Sequence, residues 1–219
     1  MATLAFDVYG TLVDTAGIAI ELTRRFADRA DAAARAWREK QLEYTFRRAL
    51  MRRYVDFDVC TAQALKSVSA RFGVPLDAAE ERSLLDAWLK LPAFPDARDA
   101  LEALRVAGHR LLALTNGTEP SVRSLLRHAG LDEYLAGILS ADRARTFKPD
   151  PAVYALLSQA GAPGEDAWLI SANPFDVLGA KAHGLKAAWV RRDGATPLDP
   201  WELSPDLIVA SLQDLGAQL

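Results

Sequence analysis

Apolar positions along this chain change rhythm once the first strand has passed. Thr3-Leu4-Ala5-Phe6-Asp7 is short and apolar nearly to its end, and the turn formers Tyr9-Gly10-Thr11 follow, which predicts a buried strand over 3–7. From about 17 to 91 no strand pattern appears. Residues 31–54 are rich in Ala, Arg, Leu and Glu and hold neither Gly nor Pro, so they predict one long helix. Two shorter helices are expected near 60–72 and 76–90, with Gly73-Val74-Pro75 as the break between them.

Beyond Pro92 and Pro95 helix and strand patterns alternate. Helices are expected over 96–107, 119–129, 151–160 and 176–183. Strands are expected at 111–114, 137–140, 167–171 and 186–190, then a last strand near 207–209 and a short closing helix. Such alternation implies a parallel sheet covered by helices on both faces. The helical stretch interrupts it after a single strand. The fold class expected is therefore α/β, a Rossmann-like parallel-sheet core formed by residues 1–14 and 93–219, carrying an inserted all-helical cap over 15–92.

Composition narrows the setting. The 219 residues carry 26 Lys+Arg against 29 Asp+Glu and are 50% hydrophobic, ordinary values that argue against disorder. One cysteine, Cys60, precludes an internal disulfide, which fits a reducing, cytoplasmic compartment. No basic n-region precedes Asp7, and no apolar run approaches the roughly 18–20 residues that cross a bilayer, so no membrane association is expected. Charge is unevenly spread. Residues 15–92 hold 14 basic and 11 acidic side chains, whereas the remainder holds 12 and 18. A basic run over 24–53 raises nucleic-acid binding, but the chain is acidic (pI about 5.7) and lacks a recognised binding motif, so no nucleic-acid partner is expected. The same charge would draw small anions toward the cap.

Ligands of open parallel sheets bind outside the carboxyl ends of the strands. Four polar groups fall there: Asp7, Thr115-Asn116-Gly117, Lys148-Pro149-Asp150 and Ser171-Ala172-Asn173-Pro174-Phe175-Asp176. Each has a bland explanation, since Asp7, Thr115 and Asn116 could close turns and Lys148 could lie on the surface. Four in order at successive strand exits favour a site. A carboxylate beside a lysine stays ionised, and a fixed, desolvated carboxylate is a nucleophile whose product is an ester that water must cleave. Asn173 and Asp176 are placed in sequence to hold that water. His109, His128 and His183 are scattered without metal-ligand spacing.

Asp-Val-Tyr-Gly-Thr at 7–11, Thr-Asn-Gly at 115–117, Lys-Pro-Asp at 148–150 and Asn-x-x-Asp at 173–176 together resemble the haloacid dehalogenase superfamily. Trp37-Arg38-Glu39-Lys40-Gln41-Leu42-Glu43-Tyr44-Thr45 and Tyr54-Val55-Asp56-Phe57 look like cap segments of its L-2-haloacid dehalogenase branch. The resemblance runs from residue 4 to about 192. The superfamily's phosphatases hold magnesium with further acids where this chain has Tyr9 and Ala172. The resemblance thus implies a hydrolase that needs no metal or other cofactor, with a magnesium-dependent phosphatase as the second reading.

The resemblance also implies roles. Asp7 would displace halide from C2 and form an aspartyl ester, with Lys148 offsetting its charge and Thr11 supporting its side chain. Thr115 and the main-chain N–H groups of Val8, Tyr9 and Asn116 would bind the substrate carboxylate. Arg38, Asn116 and Phe175 would surround the halide, while Tyr9, Leu42 and Phe57 would face the alkyl group. Tyr154, Ser171, Asn173 and Asp176 would position the hydrolytic water. In-line displacement predicts inversion, from an (S)-2-haloalkanoic acid to an (R)-2-hydroxy acid. Where the family usually has Ser, Trp and Ser, this chain has Thr115, Phe175 and Ala172. These departures bear on halide and chain-length preference. A compact pocket lined by Phe175 would suit fluoride, which brings haloacetates and fluoroacetate into the expected range. The partners implied are a small anionic 2-halo acid, halide and, since relatives are often dimers, a second copy of the chain.

Overall fold

The computed structural model describes residues 1–162 and 166–219. Six parallel strands form one sheet in the order β3-β2-β1-β4-β5-β6. They are β1 (Thr3–Phe6), β2 (Arg110–Thr115), β3 (Ile138–Ser140), β4 (Ala167–Ser171), β5 (Lys186–Val190) and β6 (Leu207–Val209). β1 lies at the centre, with Phe6 beside Ala113 of β2 and Ile170 of β4. Covered on both faces, it has no polar side to present, which explains its unbroken apolar run.

Alternate side chains of β1 enter different cores. Leu4 and Phe6 pack with helices α5 (Ala97–Val106) and α6 (Glu119–His128). Ala5 packs with α7 (Pro151–Gln159) and α8 (Pro174–Ala182) on the other face. The order in which strands are added reverses between β1 and β4, with β2 and β3 laid to one side and β4 to β6 to the other, and this is where an open α/β sheet leaves a crevice.

The connection from β1 to β2 carries four further helices before α5: α1 (Ile18–Phe26), α2 (Ala30–Leu50), α3 (Phe57–Phe72) and α4 (Ala78–Trp88). α3 stops at Gly73, whose φ of +65° ends the helix in the left-handed region, and Asp77 and Glu80 form a capping box that starts α4. The chain leaves and re-enters the sheet side by side. Asp14 N–H donates to the Pro92 carbonyl at 2.8 Å and Phe94 N–H to the Leu12 carbonyl at 2.9 Å, with Val13 bridging antiparallel to Ala93.

Several expected boundaries move. The long helix ends at Leu50 rather than running to 54, because Arg52 turns the chain at a φ of +53°. Tyr54 is thereby free of the helix, donates to Asp142 at 3.0 Å and packs on Phe147 with ring centres 4.9 Å apart. α3 begins at Phe57, three residues before the expected start, and α8 begins at Pro174, two residues before. α1, which the pattern did not single out, buries Ile18, Leu22 and Phe26.

Gly17 sits where the two crossings touch, and a Cβ there would lie 2.8 Å from the Pro92 ring. Gly17→Ala is expected to cost about 1–3 kcal/mol of stability by overpacking this junction. Urea unfolding checks it, and an unchanged midpoint would show that the junction yields freely.

Candidate active site

Asp7 is the first residue past β1, and its N–H still donates to the Ile170 carbonyl at 2.9 Å, so the sheet itself aims its side chain. The side chain stands in the crevice, 7% exposed, and both carboxylate oxygens are held. Oδ1 accepts from Lys148 Nζ at 3.1 Å. Oδ2 accepts from Thr11 Oγ1 at 3.0 Å and from Asn173 Nδ2 at 2.7 Å. Thr11 in turn accepts the Ala172 N–H at 2.9 Å, which ties the loop after β1 to the loop after β4.

Lys148 arrives from the loop between β3 and α7 and is 1% exposed. Its ammonium also donates to Asp176 Oδ2 at 2.8 Å, so one cation bridges two carboxylates. Burial alone would depress its pKa, but the Asp176 and Asp7 charges outweigh it and raise the pKa above the ordinary value. Asp176 lies on the first turn of α8 and is fully buried; its other oxygen accepts from Tyr154 Oη at 2.9 Å. Burial pushes the Asp176 carboxyl upward despite Lys148, and Asp7 adds to the push. Tyr154 has room for its hydroxyl because Gly179 lacks a side chain: a Cβ there would lie 2.4 Å from Tyr154 Oη.

Asn173 does more than grip Asp7. Its Nδ2 also donates to the Tyr9 carbonyl at 3.1 Å, and its N–H reaches Ser171 Oγ at 3.1 Å. Asn116 Oδ1 accepts the Lys148 N–H at 2.8 Å, and Thr115 Oγ1 accepts the Gly117 N–H at 3.1 Å. Among the described residues, the N–H groups of Val8, Tyr9 and Asn116 donate to no carbonyl or side chain outside the regular ladders.

The helical insertion supplies Arg38 from α2. Its guanidinium donates to the Tyr9 carbonyl at 3.3 Å and to Gln41 Oε1 at 2.7 Å, and lies 5.9 Å from the Tyr9 ring centre. Desolvation lowers its pKa, with the Asp7 charge acting against that. No acidic side chain pairs with it among the described residues. The Tyr9 ring packs at a tilt against Phe57 (5.3 Å) and stacks on Trp88 (6.0 Å). Leu42 lies half-buried on α2, one turn beyond Arg38.

The structure thus gathers Asp7, Thr11, Lys148, Asn173, Asp176, Tyr154 and Ser171 into one hydrogen-bonded cluster, joined by Asn116 through the Lys148 backbone and by Arg38 through the Tyr9 carbonyl. The expected halide group is more dispersed. Arg38, Asn116 and Phe175 each contact other partners, and Phe175 packs edge-on against Phe46 at 5.1 Å beside an outward groove with Phe147 and Trp201. Three neighbours escape the sequence pattern: Gln41, which accepts from Arg38, Thr61 on α3, which accepts from Gln41 Nε2 at 2.6 Å, and Trp88, stacked on Tyr9. Trp88 is signalled only as a large apolar residue near a helix end, and Gln41 only as a polar residue within an otherwise helical pattern. Among the described residues, no group of three or more His, Cys, Asp or Glu side chains is arranged to hold a metal ion.

A parallel sheet of this order holds a buried carboxylate just past its central strand, and a lysine bridges that carboxylate to a second acid. The chain belongs to the haloacid dehalogenase-like hydrolases, whose family model matches residues 1–184. Within that family it is 37% identical over 211 residues to the (S)-2-haloacid dehalogenase of Pseudomonas sp. (strain YL), covering 96% of this chain and 90% of the relative. It is 35% identical over 207 residues to haloacetate dehalogenase H-2 of Moraxella sp. (strain B), covering 94% and 92%. The solved L-2-haloacid dehalogenase of Xanthobacter autotrophicus, with chloropropionic acid covalently bound, superimposes with a TM-score of 0.93. It is 31% identical and covers 99% of this chain and 97% of its own.

Removing Lys148 leaves two buried carboxylates facing each other, and Lys148→Met is expected to cost about 3–5 kcal/mol. Because the folded pKa is raised, the lysine's contribution is complete below its ordinary value of 10.5 and is lost as pH rises through the higher folded value. The difference between wild-type and variant melting temperatures should therefore be full at pH 7 and narrow above pH 10.5. A difference that instead widens toward alkaline pH would refute the bridge.

Proposed function

We propose that this protein hydrolyses short (S)-2-haloalkanoic acids to (R)-2-hydroxy acids and halide through an ester on Asp7. The observation that carries the reading is the hold on Asp7, with Lys148 on one oxygen and Thr11 and Asn173 on the other, at the end of the central strand. The near full-length likeness to proteins named as (S)-2-haloacid dehalogenases supports the substrate class.

The reaction places an anion against an anion, so the site must supply positive charge without quenching the nucleophile. Lys148 does this by sharing its ammonium between Asp7 and Asp176. The N–H groups of Val8, Tyr9 and Asn116, with the Thr115 hydroxyl, receive the substrate carboxylate. One Asp7 oxygen attacks C2 from the side opposite the halogen; the C–O bond forms as the carbon–halogen bond breaks, and its electron pair leaves with the halide. Arg38 stabilises that developing charge, together with Asn116 and Phe175. Tyr9, Leu42 and Phe57 face the alkyl group.

Water then attacks the Asp7 carbonyl carbon. The acyl–oxygen bond breaks and the departing alkoxide takes the second proton of that water, which releases the hydroxy acid and restores the Asp7 carboxylate, so C2 keeps its inverted configuration and Asp7 retains one oxygen from water. Asn173 and Ser171 orient the water. Asp176 takes its proton, and its raised pKa, due to burial, makes it a better acceptor than a surface carboxylate. Tyr154 holds Asp176 in place. The core comprises 1–14 and 93–219 and the cap 15–92, so nucleophile and water come from the core while Arg38, Leu42 and Phe57 come from the cap. The substrate range includes haloacetates, and a homodimer in the cytoplasm is the proposed working form.

Halide release from L-2-chloropropionate in the presence of EDTA tests the reading, with Asp7→Asn alongside. Wild type should release chloride and form D-lactate, and the variant should lose about a thousandfold or more of the rate. Turnover confined to phosphate esters with added magnesium would establish the phosphatase reading instead.

A further inference from the structure

Arg38 is unusual among the arginines of α2 in having its orientation set by a buried chain of neutral groups. Gln41 is fully buried and Thr61, on α3, is 2% exposed. The Thr61 hydroxyl donates to the Phe57 carbonyl one turn back at 2.9 Å. With its hydrogen committed there, the Thr61 oxygen accepts from Gln41 Nε2, at 2.6 Å. That contact fixes which end of the amide faces which way, and leaves Gln41 Oε1 to accept from Arg38 Nη1 at 2.7 Å. The α3 main chain thus dictates the direction of the amide, and the amide dictates the direction of the guanidinium. The indole N–H of Trp37 donates to the Thr61 carbonyl at 2.9 Å and fastens the same turn of α3 to α2.

The chemistry of position 41 is selective. A carboxylate there would hold Arg38 equally well in space but would form an ion pair and cancel its field. An apolar side chain would leave the guanidinium unanchored on that side. A neutral acceptor, oriented from behind, fixes the arginine while leaving its full charge for an incoming anion. Resting on the assignment of Arg38 to the departing halide, we infer that Gln41, oriented by Thr61, is a positioning residue that keeps Arg38 aimed and unneutralised, and so sets how strongly the enzyme depends on the leaving group.

Gln41→Glu tests this, with Thr61→Val as a shape-conserving second variant and Thr61→Ser as the conservative rescue. The ratio of kcat/KM for L-2-bromopropionate to that for L-2-chloropropionate is read beside inhibition by chloride and bromide. Gln41→Glu should raise the bromo-to-chloro ratio and the halide inhibition constants about tenfold or more, since charge stabilisation at the leaving atom is what weakens. Thr61→Val should move both in the same direction, and Thr61→Ser should bring them back toward wild type. A merely structural role would lower activity on both substrates alike and leave ratio and inhibition constants unchanged; that outcome in a folded Gln41→Glu or Thr61→Val overturns the inference. Should Gln41→Glu not fold, Thr61→Val with its serine rescue decides alone. Arg38→Met separates the two layers, because wild-type activity and halide inhibition in that variant would sink the role of Arg38 itself.

Discussion

One ammonium group shared by two buried carboxylates organises this site. Lys148 contacts Asp7 at 3.1 Å and Asp176 at 2.8 Å, all three beneath the protein surface. Without the lysine, two anions in a poorly solvated crevice would repel and one would take up a proton. With it, the charge that Asp7 turns toward an anionic substrate is partly offset at 3.1 Å. The arrangement draws on three separate loops, after β1, after β3 and at the start of α8. The parallel sheet is what makes that possible, because parallel strands deliver all their carboxyl ends to one side. Every other contact of the cluster, from Thr11 to Tyr154, refines the position of these three charges.

Much of the fold was legible because the sheet strands are buried on both faces and their sequences say so directly. Alternation of strand and helix after Pro95 led to the parallel arrangement, and β2, β4 and β5 lie where their apolar runs predicted. Helix ends were harder to read. Nothing in the Met51–Tyr54 composition opposes helix, and the stop comes from Arg52 turning left-handed and Tyr54 being drawn to Asp142 and Phe147. Those partners are distant in sequence and no local pattern reports them. α8 starts early because Pro174 serves as the first helical residue, a position where its missing N–H costs nothing.

Asp7, Lys148 and Asp176 were legible for a related reason: each follows a strand of the sheet, where a carboxylate or ammonium has few structural uses, whereas Arg38 lies within α2 and stood out only through the family resemblance. Gln41 and Thr61 were not legible. They lie mid-helix, on the buried contact of α2 with α3, where an apolar pattern is expected and a glutamine looks like an error in it. Only the structure reveals that the amide has a partner at each end, which removes the usual penalty for burying it. Arg38, Gln41 and Thr45 recur at helical spacing along α2, so the inward face of this helix is partly polar, with each side chain hydrogen-bonded. Its hydrophobic periodicity is correspondingly faint.

The paired crossings at Leu12–Asp14 and Pro92–Phe94 place the beginning and end of the helical insertion within hydrogen-bonding distance of each other. To the sheet, seventy-odd residues of inserted chain therefore look like a short hairpin, and the strand order is indifferent to what that hairpin carries. A lineage can rewrite, enlarge or exchange the insert without rerouting a single strand. The insert is thereby free to change at a different rate from the sheet that carries it.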